Sequence, residues 1–356
     1  MSVNKISKTV ISFRWLIVLF VVLVTFFMGL QLSKLTIDAD VLSSLPDDDE
    51  NALLLKKIGE KFGGNRMGIV ILETDNIYQT EVIRHIRTLT DTVGKIEGIS
   101  SVSSLTNIIN IKGEDGGLEI GALIDPYELP ETEDDFEILK KNIRANEMYK
   151  GSIVSDDETS ALVIFTLNDD ANVNEVARNV IDKTKSIELP EKLYYIGSPM
   201  LITYIAELMK NDLTRLLPIA FLLIAIILFF SFRSVSGVLL PLITAVIAIV
   251  WTLGTMSLLG YSMSMISNNI PIILLAIGSA YTIHVINRIL VVESSDEIHV
   301  VSRALNYVMV PVVLAALTTA IGFISFVFGA YLEMIVEFGI FTAFGTFTAC
   351  LLSVFF

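Results

Sequence analysis

The sequence predicts an α-helical polytopic membrane protein, with six transmembrane helices and an external α+β domain between the first and the second. Three observations predict it. The chain of 356 residues is 53% hydrophobic with a mean hydropathy of +0.66, too apolar for a soluble domain. Six apolar stretches reach the ~20 residues that a helix needs to cross hydrocarbon. Charge is concentrated: residues 33–212 carry 34 Asp+Glu and 18 Lys+Arg, against 5 and 7 elsewhere, so an acidic segment of net −16 is set in a body of net +2. The expected division is 1–32 for a tail and the first span, 33–212 for the external domain, and 213–356 for spans two to six.

The expected spans are 10–32, 213–232, 238–259, 266–290, 307–330 and 336–356. The first is not read as a signal peptide, because its apolar core exceeds ~15 residues and no A-x-A cleavage site follows. Lys5, Lys8 and Arg14 precede the first span, Arg233 lies between the second and third, and Arg288 and Arg303 lie between the fourth and fifth. All six fall on one side of alternating spans, with Arg215 alone opposite, so that side is expected to be the cytoplasm. The expected location is the inner (cytoplasmic) membrane, with the N-terminus cytoplasmic and 33–212 periplasmic or extracellular. The last span stops at Phe356 with no polar flank, which predicts a cut chain or one half of a duplicated protein.

Within 33–212, MGIVILE at Met67–Glu73 reads as a buried strand. Residues 79–96 place Val82, Ile83, Ile86, Leu89 and Val93 on one helical face. ISSVSSL at 99–105 alternates like a strand. Later, 161–167 reads as a strand, 172–187 as a helix and 193–196 as a strand. Two β-α-β units of this kind predict a split βαβ, ferredoxin-like domain. Between them, 106–158 reads as an acidic insert with Gly113, Gly116 and Gly117, and one amphipathic helix on Ile138, Leu139, Ile143 and Met148. The run Asp47–Glu50 lacks the spacing of a calcium loop and reads as a solvated cap. Residues 199–212 read as a helix running into the second span, either a tether or a coupling rod.

Several function classes are excluded. The acidic balance argues against a nucleic-acid partner. A single cysteine, Cys350, excludes an internal disulfide and reads as a packing residue. HExxH, GxxxxGK and GxSxG motifs are absent, His85 and His299 read as isolated, and Ser198 has no histidine in reach by sequence, so neither an enzyme nor a metal or other cofactor is expected.

One helix, a large external β-α-β domain and five further helices resemble one repeat of the resistance–nodulation–division superfamily. The strings LP at 45–46, FGG at 62–64, IGSPML at 196–201, FRS at 232–234, GSAYTIHVINR at 278–288 and LTTAIGFISF at 317–326 are similar to its hydrophobe/amphiphile exporter branch, which includes the MMPL group. The resemblance implies a porter domain at 33–212. It also implies proton-driven export of lipid-like or amphiphilic molecules, working as a homodimer or with a second repeat, beside membrane lipids and a possible periplasmic partner. The same helix arrangement occurs in sterol-sensing domains and protein-export accessory proteins, which implies a second reading as a non-transporting sensor or accessory protein. Many relatives carry an Asp directly before the tyrosine of the fourth helix; here that residue is Ala280, and no Asp or Glu lies deep in any span.

Ionisable and polar groups inside hydrocarbon are expensive and mark functional positions. Histidine is the side chain whose unperturbed range suits proton exchange, so His284 is the leading candidate for a proton relay. Tyr281 and Asn287, three residues to either side, are expected on its face. Thr318 and Thr319 of the fifth span either face His284 or bond back to their own helix. Asn268 and Asn269 open the fourth span, as N-caps or as a polar route for an ion. Gly278, Ala280 and Gly322 are expected at close helix contacts. Glu333 and Glu337 flank the sixth span on its outer side and read as solvated, with a gate or proton entry as the alternative.

Overall fold

The computed structural model describes residues 9–46, 48–62, 66–114, 117–146, 149–292 and 297–356. Lys5, Lys8, Asp47, Gly63, Gly64, Gly116 and Met148, named above, lie outside the described residues. The chain forms two compact units: Glu50–Ile205, and Met1–Asp49 with Ala206–Phe356.

The first of these is an α/β unit. It comprises α2 (Glu50–Phe62), β1 (Met67–Glu73), α3 (Thr80–Gly94), β2 (Ile99–Ser104), β3 (Ile109–Glu114), β4 (Gly117–Ala122), α4 (Glu133–Ala145), β5 (Ser160–Leu167), α5 (Val173–Lys185) and β6 (Lys192–Gly197). Its main sheet runs β2-β5-β1-β6 with every neighbouring pair antiparallel. β5 of the second β-α-β unit lies between the two strands of the first, which is the order of two interleaved units. Strands β1 and β5 alternate strictly in burial, so one face of the sheet carries the core. That core receives Val82, Ile83, Ile86, Leu89 and Val93 of α3, all buried as the 3.6-residue spacing predicts. Val176, Ala177 and Val180 of α5 join it. Phe165 is fully buried, its ring against Gly68 across the β1–β5 pair.

Caps fix the helix starts. Asn172 accepts from the Glu175 amide, and Thr132 and Asp135 form a reciprocal capping box on α4. Arg144 donates through Nε and Nη2 to the two Glu158 carboxylate oxygens at 2.7 and 2.9 Å. This fork is the main reason the Glu158 carboxyl is held below the usual carboxylate range.

Three expectations for this unit are corrected. The insert 106–158 contains a hairpin, β3 with β4, beside the expected helix. Ile138 is exposed, whereas Leu139 and Ile143 of that helix are buried in the core and Phe136 packs against it. His85 is not isolated; its Nδ1 meets Glu191 Oε1 at 2.9 Å.

The second unit is helical. It comprises α1 (Arg14–Leu32), the end of α6 (Ser198–Asn211), α7 (Leu217–Phe232), α8 (Val235–Leu258), α9 (Ile270–Val291), α10 (Glu297–Gly329) and α11 (Glu333–Phe355). Among the described residues, six helices are long and apolar enough to cross a membrane, one of them continuous from Ser198 to Phe232. Within it, Asp212–Leu216 is a π-helical segment, followed by Pro218. Proline has no N–H to give an α-helical bond, and a local change of pitch accommodates it.

Burial sorts the spans. The apolar windows of α8, α9 and α11 are 44%, 50% and 72% buried, against 6%, 6% and 11% for α1, the 198–232 helix and α10. α8, α9 and α11 therefore form the centre. The Trp251 indole N–H donates to Thr25 Oγ1 at 2.9 Å, tying α8 to α1. Cys350 is buried among apolar side chains, as expected of a packing residue.

Small residues set the closest approaches. A Cβ on Gly278 would lie 3.3 Å from both Ala245 Cα and Ala349 Cβ, in keeping with its expected role. Gly322 does not share that role: a Cβ there would meet nothing within 4 Å. The tight contact of α10 with α11 falls instead at Gly339, where a Cβ would stand 2.5 Å from the Phe323 carbonyl oxygen.

Candidate functional site

The fourth span is built from a short 3₁₀ turn, Ser267–Asn269, that leads into α9 with Pro271 in its first turn. The asparagines do not cap it. Asn269 occupies the cap position, but its side-chain amide donates to the Ile266 carbonyl at 3.2 Å. Asn268 is 5% exposed, and its Oδ1 has no partner among the described residues. The turn is closed by serines: the Ser264 amide donates to Ser267 Oγ at 2.7 Å, and the Ser267 amide to Ser264 Oγ at 3.2 Å.

The inner face of α9 runs through Leu274, Leu275, Gly278, Tyr281, Thr282 and Val285, all buried. Thr282 and Thr244 hydroxyls are hydrogen-bonded at 2.8 Å, joining α9 to α8. The Tyr281 hydroxyl lies beside Thr319 and Cys350, yet no group meets it in hydrogen-bonding geometry among the described residues. Thr346 Oγ1 on α11 is likewise buried without a partner. A buried polar atom without a partner is uncommon and costs about 1–3 kcal/mol. Four such atoms lie in the helical unit among the described residues, those of Asn268, Tyr281 and Thr346 and the Nε of Arg288.

His284 and Asn287 do not share that interior. Both are exposed at the surface of the chain, and neither has a hydrogen-bond partner among the described residues. The reason is helical phase. Three residues fall about 60° short of a full turn, so the step from Tyr281 to His284 to Asn287 drifts about 120° off the inner face. Ala280 is half-buried. Thr318 and Thr319 both donate to the Ala315 carbonyl, at 2.9 and 2.8 Å, and it is Tyr281 rather than His284 that Thr319 approaches.

A feature that sequence reading did not assemble lies at the N-terminal ends of α9 and α11. A cavity of about 210 Å³ is lined by Asp38, Ser43, Tyr261, Ser262, Glu333 and Glu337, among others. Glu337 is half-buried there and not a freely solvated flank. The loop after α1 is fastened to it: the Asp38 amide donates to the Met263 carbonyl at 3.0 Å, the Met263 amide to the Thr36 carbonyl at 2.8 Å, and Thr36 and Ser262 hydroxyls meet at 2.7 Å. Asp38 and Glu337, which line the same cavity, lie nearly the whole sequence apart. The one local signal is a carboxylate, Glu337, set inside a helix long enough to span.

A sequence model described as the MMPL family matches residues 43–356. A protein of Methanocaldococcus jannaschii, MJ1562, provisionally named a membrane protein, is 25% identical over 302 residues, covering 80% of this chain and 74% of that protein.

Proposed function

Because this chain belongs to the MMPL family, we propose that it is a secondary transporter that moves a hydrophobic or amphiphilic, lipid-like molecule at the expense of a proton gradient. Membership supports a membrane-transport or lipid-related role. The observation that carries the finer reading is the set of unpartnered polar atoms of Asn268, Tyr281 and Thr346 inside a bundle of membrane-spanning helices. Such groups are costly in hydrocarbon unless a proton, ion or moving helix meets them in another state.

In this reading the acidic cavity at Asp38, Glu333 and Glu337 takes up protons on the outer side. Asn268 and the Tyr281–Thr319 contact lie deeper and respond by repacking α9 against α8 and α11. The unit 50–205 is the ferredoxin-like porter domain, outside the membrane, and binds the substrate. The exposed edge of α9 with His284 and Asn287 would be costly against acyl chains, so a second copy or second repeat covers it. A periplasmic partner would receive the cargo.

The test uses the full chain in vesicles, with a fluorescent lysolipid as cargo and an imposed proton gradient. Gradient-dependent movement is expected in wild type, falling to the protein-free leak in Glu337→Gln and strongly reduced in Tyr281→Phe. Movement indifferent to the gradient sinks the coupling. An unchanged rate in His284→Ala removes the imidazole from the mechanism. The absence of a carboxylate at Ala280 favours the second reading, a lipid-sensing or protein-export accessory protein, which predicts lipid binding without any net movement.

A further inference from the structure

A cavity of about 570 Å³ lies between the C-terminal end of α9 and the first turns of α10, at the opposite end of α9 from the acidic cavity. Its lining is Arg288, Val291, Val292, Arg303, Asn306 and Tyr307. The Arg288 guanidinium stacks on the Tyr307 ring at 3.9 Å from its centroid. Its Nε is buried with no hydrogen-bond partner, and neither Arg288 nor Arg303 has a carboxylate partner among the described residues. The described lining thus holds two cations and no carboxylate, with one cation fixed by stacking, which suits an anion.

The chemistry narrows the ligand. A guanidinium offers donors in a planar fork that fits two oxygens of a phosphate, and stacking on an aromatic ring leaves the donor edge free. The Asn306 amide adds a donor of the same reach. Val291 and Val292 give the cavity an apolar wall beside its charge. The volume is more than a bare phosphate fills and suits a larger molecule. The level is that of the headgroups, where basic pockets between membrane helices hold anionic lipids.

We propose that this cavity binds a phosphate-type anion, namely the phosphodiester headgroup of an anionic membrane lipid. The site is independent of the transport reading, since it requires neither a proton gradient nor movement of cargo. The full chain in detergent is tested by thermal unfolding with added dioleoylphosphatidylglycerol, dioleoylphosphatidylcholine, or sodium phosphate at matched ionic strength. Phosphatidylglycerol is expected to raise the midpoint saturably. Arg288→Gln combined with Arg303→Gln is expected to weaken apparent affinity roughly ten- to thirtyfold, and the double Arg→Lys variant to restore only part of it, because an ammonium keeps the charge and loses the fork. Should the double Gln variant not fold, Arg303→Gln alone tests the same point, because it leaves the Arg288–Tyr307 stack in place. A saturable rise with sodium phosphate that blocks the lipid effect keeps the phosphate chemistry and reassigns the source to a soluble anion. Equal shifts from both lipids, or no loss in the Gln variants, overturn the proposal.

Discussion

The two units of this chain differ in what they leave outside. In the α/β unit the interior is mainly Val, Ile, Leu and Phe, the charges stand outward, and buried hydroxyls such as Ser104 and Thr184 are hydrogen-bonded. In the helical unit Trp15, Leu222, Phe230 and Phe328 are exposed, while Ser267, Thr252, Thr342 and Thr346 are sealed within. The difference reports the solvent each was built for. Water expels apolar surface, so burial follows hydrophobicity in the first unit. Hydrocarbon does not, so association in the second depends on close backbone approach and buried hydrogen bonds. A hydrophobic side chain is thus informative about the core in one unit and uninformative in the other.

Four tests break or sharpen that contrast, in order of size. Phe165→Ala should destabilise the α/β unit by about 3–5 kcal/mol in denaturant unfolding, while the exposed Leu222→Ala in the bundle should change little in detergent. Gly339→Ala should cost about 1–3 kcal/mol, because the new Cβ collides with the Phe323 carbonyl, and Gly322→Ala should be neutral. Equal effects of the two glycines would refute the helix contact described. Thr244→Val removes the α8–α9 hydrogen bond and should cost about 0.6 kcal/mol, near the average for membrane helices, read as a lower thermal midpoint.

The smallest effect is a pH dependence. Glu158 is held below the usual carboxylate range by Arg144, so its contribution is present above that range and lost as pH falls through its depressed value. Glu158→Gln should flatten the loss of stability from about pH 5 to about pH 3, measured by the unfolding midpoint. An unchanged acid limb would show that the pair is worth nothing in solution.

Much of the fold was legible. The spans and the inner face of α3 depend on local periodicity, which a sequence carries in full. The hairpin β3–β4 was not, because INIKGE and GLEIGA are rich in glycine and charge and only their isoleucines and leucine alternate. The candidate site was legible in part. Tyr281 is enclosed as an intramembrane polar residue should be, but the enclosure ends before His284. That boundary depends on which neighbours α9 meets, and its own sequence does not encode them. Gly322 and Gly339 read alike in an apolar run; only the partner helix distinguishes them. Asp38 and Glu337 come to one cavity from nearly opposite ends of the chain, which no local pattern signals.

The π segment at Asp212–Leu216 has a mechanical consequence. Such a turn holds one residue more than an α turn. Passing that residue along the helix would screw the chain beyond it through about 100° and advance it by about 1.5 Å. This reservoir sits in the helix where the boundary between the two units falls, with Pro218 marking its lower stop. Deleting Thr214 should therefore leave a helix that still forms but cannot ratchet, a difference that cargo movement and thermal unfolding would separate.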